Sequence, residues 1–188
     1  MKEDVRNNSA WNQRYFFLKN NYDLTKSEPI DILNEEIEFS LDKIEYCIDN
    51  ESSWNYLRAI VNHLIDIYSL EKKKLDPSNN YLNKVTEFCD RKFQSNTEDD
   101  RSPFLLSYIV EMNMVKVDEL LAYLEELVDE NNQEERNKVL NELNKLVNGS
   151  IEILDLLANK FDTIRANYWN YQVSKWNENY SKYIIKSQ

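Results

Sequence analysis

The residues with the widest chemical reach are few: one histidine, His63, and two cysteines, Cys47 and Cys89, in 188 residues. A zinc site draws three or four such ligands from short spacings, as in C-x-x-C. Cys47 and Cys89 lie 42 positions apart, and no histidine clusters around either. Neither a metal site nor a disulfide framework is expected, and both read as reduced, half-buried thiols. A phosphate-cradling loop needs several glycines, and the chain has only Gly149. His63 falls beside an apolar stripe with no ligand spacing around it, which favours a structural or solvated imidazole. Glu125, Glu126, Asp129, Glu130, Glu134 and Glu135 crowd together and read as a solvated acidic ridge, not an acid–base pair. From these residues no catalytic, cofactor-binding or metal-binding set of the chain's own is expected.

The elements that must carry these residues are helices. One Gly and three Pro in 188 residues leave few positions for the positive φ that tight hairpins need. A hydrophobic share of 41% and an aromatic share of 12% suit a packed core. The net charge of −11 repels phosphate backbones and argues against nucleic acid as a partner. No apolar run reaches the roughly 18 residues of a membrane span, so a cytoplasmic protein is expected. Ile30, Leu33, Ile37, Leu41, Ile44 and Ile48 recur at steps of three and four, as one face of a helix does. Ser27 is the expected N-cap there, with Pro29 in the first turn. Trp54, Leu57, Val61, Leu64, Ile65 and Tyr68 make a second stripe. A third helical stretch starts at Ser102, and its length predicts a break between Met112 and Val115. Asn148-Gly149 reads as a C-cap dividing two further helices, and Asp162 or Thr163 as the cap of the last. Turns are expected at 20–25, 49–53, 75–80, 95–101 and 130–135, with 95–101 (SNTEDDR) the most mobile. Short polar turns bring neighbouring helices together as antiparallel hairpins.

One phrase recurs. Asn7, Asn8 and Ser9 precede Trp11-Asn12; Asn50, Glu51 and Ser52 precede Trp54-Asn55, 43 positions on. Phe104 behind Ser102-Pro103 and Trp169-Asn170-Tyr171 are weaker echoes. A period of this length marks a two-helix unit that buries its apolar face only against a neighbour. The fold class expected is all-α: antiparallel helical hairpins stacked as a right-handed alpha-alpha superhelix. It forms a single domain over 1–188, with repeats starting near 6, 50, 102 and 164. Trp11, Trp54, Phe104 and Trp169 are expected to pack between units, with Asn12 and Asn55 hydrogen-bonding across them. Arg14, one turn after Trp11, bridges either to carbonyls of the neighbouring repeat or to a partner subunit. Tyr168, Trp169, Tyr171, Trp176, Tyr180 and Tyr183 either dock a partner or cap the last hairpin.

At RNNSAWNQRYFFL (6–18) the chain resembles the repeat of the protein prenyltransferase alpha subunits, through Asn7, Trp11 and Arg14. The likeness is to the branch shared by protein farnesyltransferase and type I geranylgeranyltransferase. KEDVRNNSAWNQRYF, NESSWNYLRAI, SPFLLSYIVE and DTIRANYWNY read in order like its consecutive C-terminal segments. The resemblance implies a C-terminal half of such a subunit, partnered in a heterodimer by a beta subunit that it scaffolds. The holoenzyme would join an isoprenoid, from its diphosphate, to a cysteine near a substrate protein's C-terminus. It would hold zinc, with magnesium as a second candidate ion, through the beta subunit. Family members supply Lys-Asn-Tyr turns to the active site; here those positions are Arg6, Asn7, Asn8 and Ser9, then Asp49, Asn50, Glu51 and Ser52. Only the Asn persists, so no activity is expected from this chain alone. Arg6, Asn7, Asn8, Arg14, Asn50 and Glu51 are the expected partner-interface residues. The alternative reading is a stand-alone helical-repeat interaction module with no role in prenylation.

Overall fold

The computed structural model describes residues 4–26, 29–70, 80–95, 97, 101–127, 132–180 and 183. Among these, every regular element is helical and no strand forms, as the apolar periodicity requires. Seven α-helices follow one another: α1 (Asn8–Asn21), α2 (Ile30–Tyr46), α3 (Glu51–Leu70), α4 (Asn80–Ser95), α5 (Pro103–Glu126), α6 (Gln133–Leu156) and α7 (Ala166–Tyr180). A π-helical turn (Leu157–Phe161) and a 3₁₀ turn (Thr163–Arg165) stand between α6 and α7. The chain gathers into two units, Met1–Leu105 and Leu106–Gln188.

In the first unit α2 and α3 form a hairpin about the turn at Cys47–Asn50. Leu33, Ile37 and Ile44 on α2 are wholly buried, as are Leu57, Ile60 and Leu64 on α3. Each such side chain contributes about 1.5–3 kcal/mol by leaving water. Pro29 occupies the N-cap position of α2 instead of its first turn, with its carbonyl accepting from the Leu33 N–H at 2.9 Å. A proline suits that place because the cap needs only a carbonyl. The expected cap Ser27 lies outside the described residues, as do most of the turns at 75–80 and 95–101 and the ridge residues Asp129 and Glu130.

In the second unit two expected interruptions do not occur. α5 runs unbroken through Met112–Val115; with no Pro or Gly there, length alone does not end a helix. α6 likewise runs through Asn148-Gly149. Its buried positions Val139, Leu143, Val147, Ser150 and Leu154 keep helical spacing across the glycine. That continuous face outweighs the roughly 1 kcal/mol a mid-helix glycine costs. Ser150 completes the passage: its hydroxyl donates to the Leu146 carbonyl at 2.8 Å and accepts from Asn113 Nδ2 at 3.1 Å. The closing aromatics divide. Trp169, Trp176 and Tyr180 are buried, the last two with ring centroids 5.2 Å apart, whereas Tyr168 and Tyr171 stand exposed.

Candidate functional site

The recurring phrase builds a recurring joint. Trp11 Nε1 donates to the Val5 carbonyl at 2.7 Å, and Trp54 Nε1 donates to the Ile48 carbonyl at 2.7 Å. Both acceptors lie six residues before their tryptophan, in the turn ahead of its helix. The indoles are 2% and 1% exposed, so each N–H needs a partner on burial. Each carbonyl then takes a second donor from the next repeat. Asn50 Nδ2 reaches the Val5 oxygen at 2.8 Å, and Ser102 Oγ reaches the Ile48 oxygen at 3.3 Å. Peptide oxygens accept two hydrogen bonds, so one atom holds both a repeat's own tryptophan and its successor's helix start. Ser52 Oγ adds a link to Asn8 Oδ1 at 3.1 Å.

Behind the first joint lies a polar cluster at Glu36 of α2. Arg14 forms a bidentate pair with it, Nε to Oε2 at 2.6 Å and Nη2 to Oε1 at 2.7 Å. Tyr56 of α3 donates to Oε2 at 2.7 Å. One carboxylate therefore ties α1, α2 and α3. Burial opposes the Arg14 charge, but the hydrogen bonds and charge of Glu36 outweigh it and hold the guanidinium above its ordinary pKa. Burial, reinforced by Glu36, pushes the Tyr56 phenol up. Arg14 also stacks over Phe39, 3.9 Å from the ring centroid, and Trp11 packs against Phe39 and Tyr56 at 5.7 and 5.2 Å. Tyr15 OH lies 2.7 Å from His63 Nε2. Burial raises the phenol and lowers the imidazole, so both groups of this pair favour their neutral forms, and the His63 tautomer sets which of them donates.

The expected site residues are thus placed as follows. Trp11 and Trp54 sit in their joints, and Phe104 is half-buried beside Ser102. Trp169 donates to the Asp162 carboxylate at 2.9 Å, not to a main-chain oxygen. Arg14 meets a carboxylate within the unit, and Asn50 is 6% exposed with its amide spent on Val5. Asn12 and Asn55 are exposed, and Asn55 accepts from Arg58 on its own helix at 2.6 Å. The amide that crosses between repeats is Asn50, four residues before the tryptophan. Arg6, Asn7, Asn8 and Glu51 are exposed; Arg6 leans on Cys47, which lifts its guanidinium. Glu36, Tyr56 and Tyr15 escaped sequence reasoning.

Among the described residues no three His, Cys, Asp or Glu side chains converge as metal ligands would. A groove of about 430 Å³ between α2 and α4 gathers Glu38, Asp42, Glu45 and Glu87. Lys84 pairs with Glu38, and Arg91 and Lys92 pair with Glu45, so the groove is an ion-paired helix contact. No described helix is long and apolar enough to cross a membrane.

Among the described residues every regular element is helical, and Trp11 and Trp54 each dock into the turn ahead of their own helix, so by architecture this is a helical-repeat protein. The repeat is a known one: residues 33–64, the α2–α3 hairpin with Trp54, match the protein prenyltransferase alpha subunit repeat. Beyond the hairpin, the chain is similar to the subunit alpha of protein farnesyltransferase/geranylgeranyltransferase type-1 from three organisms. It is 25% identical to that of Dictyostelium discoideum over 170 residues, 90% of this chain and 39% of the relative. Over 101 residues it is 35% identical to that of Pisum sativum, 48% of this chain and 28% of the relative. The match to that of Candida albicans is 28% over 143 residues, 76% of this chain and 33% of the relative. The chain therefore spans less than two fifths of the length of these relatives. The resemblance read from the tryptophan phrase and the all-α class are both borne out.

Proposed function

We propose that this chain serves as the C-terminal portion of a protein farnesyltransferase/geranylgeranyltransferase type I alpha subunit. It would scaffold a beta subunit in a cytoplasmic heterodimer that transfers an isoprenoid to a substrate protein's cysteine. The observation that carries this reading is the alignment with such a subunit along 90% of the chain. The joints support a scaffolding role, because Asn50, Ser52 and Ser102 hold the starts of successive helices in register. In this reading the beta subunit supplies zinc, any magnesium and the isoprenoid pocket. Co-expression with a protein farnesyltransferase beta subunit is expected to give one complex by affinity capture and size exclusion. Failure to co-purify would overturn the proposal and favour a stand-alone interaction module. The chain alone is expected to turn over no farnesyl diphosphate.

A further inference from the structure

α7 has two unlike faces. Trp169, Trp176 and Tyr180 turn inward and are buried, with Trp169 held by Asp162 at 2.9 Å. Away from them, Ile164, Tyr168, Tyr171, Lys175 and Glu178 recur at steps of four and three, which at about 100° per residue makes one straight stripe. Ile164, in the 3₁₀ turn that opens the helix, is 98% exposed. Tyr168 and Tyr171 are 52% and 61% exposed, and Lys175 and Glu178 stand in solvent. A single exposed apolar side chain is ordinary, but three aligned along two turns form a patch of the kind a protein surface covers. Tyr168 is already set edge-on against Trp169, ring centroids 4.7 Å apart, so it loses little freedom on contact.

The order of the stripe says which partner fits. A second α7 can lie antiparallel to the first, with a two-fold axis midway between Tyr168 and Tyr171. Tyr168 of each copy then meets Tyr171 of the other, and Ile164 meets Lys175 of the other. The tyrosines make two aromatic contacts, and the Lys175 stem covers Ile164 while its ammonium stays in water. Each end gathers Arg165 and its ion-pair partner Asp162 from one copy with Lys175 and Glu178 from the other. Cations and carboxylates balance there, although the chain as a whole carries a net charge of −11. A parallel pairing would instead set Lys175 against Lys175 and Glu178 against Glu178, which like charges oppose. A strongly charged partner of either sign finds no complement in so balanced a rim.

We propose that the outward stripe of α7 pairs with the same stripe of a second copy, antiparallel, as a two-fold dimer. The contact closes on itself, unlike the joints of the first unit, which pass from one repeat to the next. It holds whether or not the chain acts in prenylation. The side chains of the stripe cover on the order of 400 Å² per copy, at the low end of specific interfaces. The dimer is accordingly weak, with a dissociation constant on the order of 10–100 µM.

Sedimentation equilibrium of the full chain over rising concentration tests it. The mass is expected to climb from the 22.6 kDa monomer toward twice that value. Tyr171→Asp should weaken association at least about tenfold while the helical circular dichroism stays unchanged. Ile164→Lys should do the same, because it faces Lys175 of the other copy. Adding Lys175→Glu to Ile164→Lys restores an opposite-charge pair across the axis, and association should return to within about threefold of the parent. On one helix these positions stand roughly 16 Å apart, too far to pair with each other, so the rescue reads the antiparallel register. A chain that keeps its monomer mass up to about 1 mM overturns the proposal. So does a dimer indifferent to Tyr171→Asp, or a double variant that stays monomeric. If Tyr171→Asp abolishes capture by a beta subunit and leaves self-association untouched, the stripe belongs to that partner and the proposal fails.

Discussion

Trp54 and Trp169 carry the same indole into two different closures. In the first unit the N–H finds a peptide oxygen six residues back, and that oxygen also holds the next repeat. In the second unit it finds the Asp162 carboxylate seven residues back, which Arg165 shares at 2.5 Å from the adjoining turn. The extra residue of spacing accompanies the π-helical turn at Leu157–Phe161 and the 3₁₀ turn that follows, which together re-aim the chain before α7. A main-chain acceptor thus serves two neighbouring repeats, whereas the carboxylate serves its own hairpin alone. The first arrangement propagates an array; the second completes a hairpin from within.

The largest test of this contrast removes the shared knob. Trp54→Ala is expected to destabilise the first unit by about 4 kcal/mol in urea unfolding. Trp54→Phe should cost about 1–2 kcal/mol, because it keeps most of the ring but deletes the N–H. Next is the cluster behind the joint. Glu36→Ala leaves Arg14 and Tyr56 without their acceptor and should cost about 3 kcal/mol, discounted for the part of Arg14 that faces solvent. Glu36→Gln, which still accepts from Tyr56, should cost roughly half of that. Any cost below 1 kcal/mol for Glu36→Ala would remove the cluster from the account.

Donor and acceptor changes sharpen the comparison further. Asn50→Ala strands a buried link and should cost about 1–2 kcal/mol. Asp162→Asn still accepts from Trp169 and loses only a half-exposed ion pair, so less than about 1 kcal/mol is expected. Equal costs at the two positions would erase the distinction between the closures. In the second unit Gly149→Ala should stabilise by about 0.5–1 kcal/mol, since an added methyl meets nothing within 4 Å. A loss there would mean that α6 needs its glycine.

The smallest effect is a pH dependence confined to the first unit. Burial lowers the His63 pKa from 6.5, with Asp66 opposing and Lys19 assisting. The unfolded chain therefore binds more protons than the folded one as pH falls through 6.5, so stability is full above that value and lost below it. His63→Gln should flatten the slope of the unfolding midpoint between pH 7 and 5, while the second unit keeps its own profile.

Much of this was legible in the residues. The steps of three and four along Leu33, Ile37, Leu41 and Ile44 predict the α2 face, and the doubled Ser-x-Trp-Asn phrase marks equivalent helices. What escaped has a physical reason in each case. Gly149 signals a stop only where the apolar face also stops, and here Ser150 and Leu154 carry it onward. Asn12 and Asn55 adjoin the tryptophans in sequence, but a helix rotates neighbouring residues about 100° apart, so they face solvent while Asn50 faces the joint. Arg14 was singled out without Glu36, because a pair 22 residues apart leaves no local spacing to read. Tyr56 and the Tyr15–His63 contact depend likewise on which helices meet.

Val5 and Ile48 hold two donors each, yet they do so with an atom that every amino acid carries. Alanine scanning would leave both oxygens in place, so its cost at Val5 and Ile48 reads the loss of half-buried side chains and not the joint. Only a change to the backbone itself, such as replacing the peptide bond with an ester to weaken that one oxygen, would expose how much of the fold hangs from it.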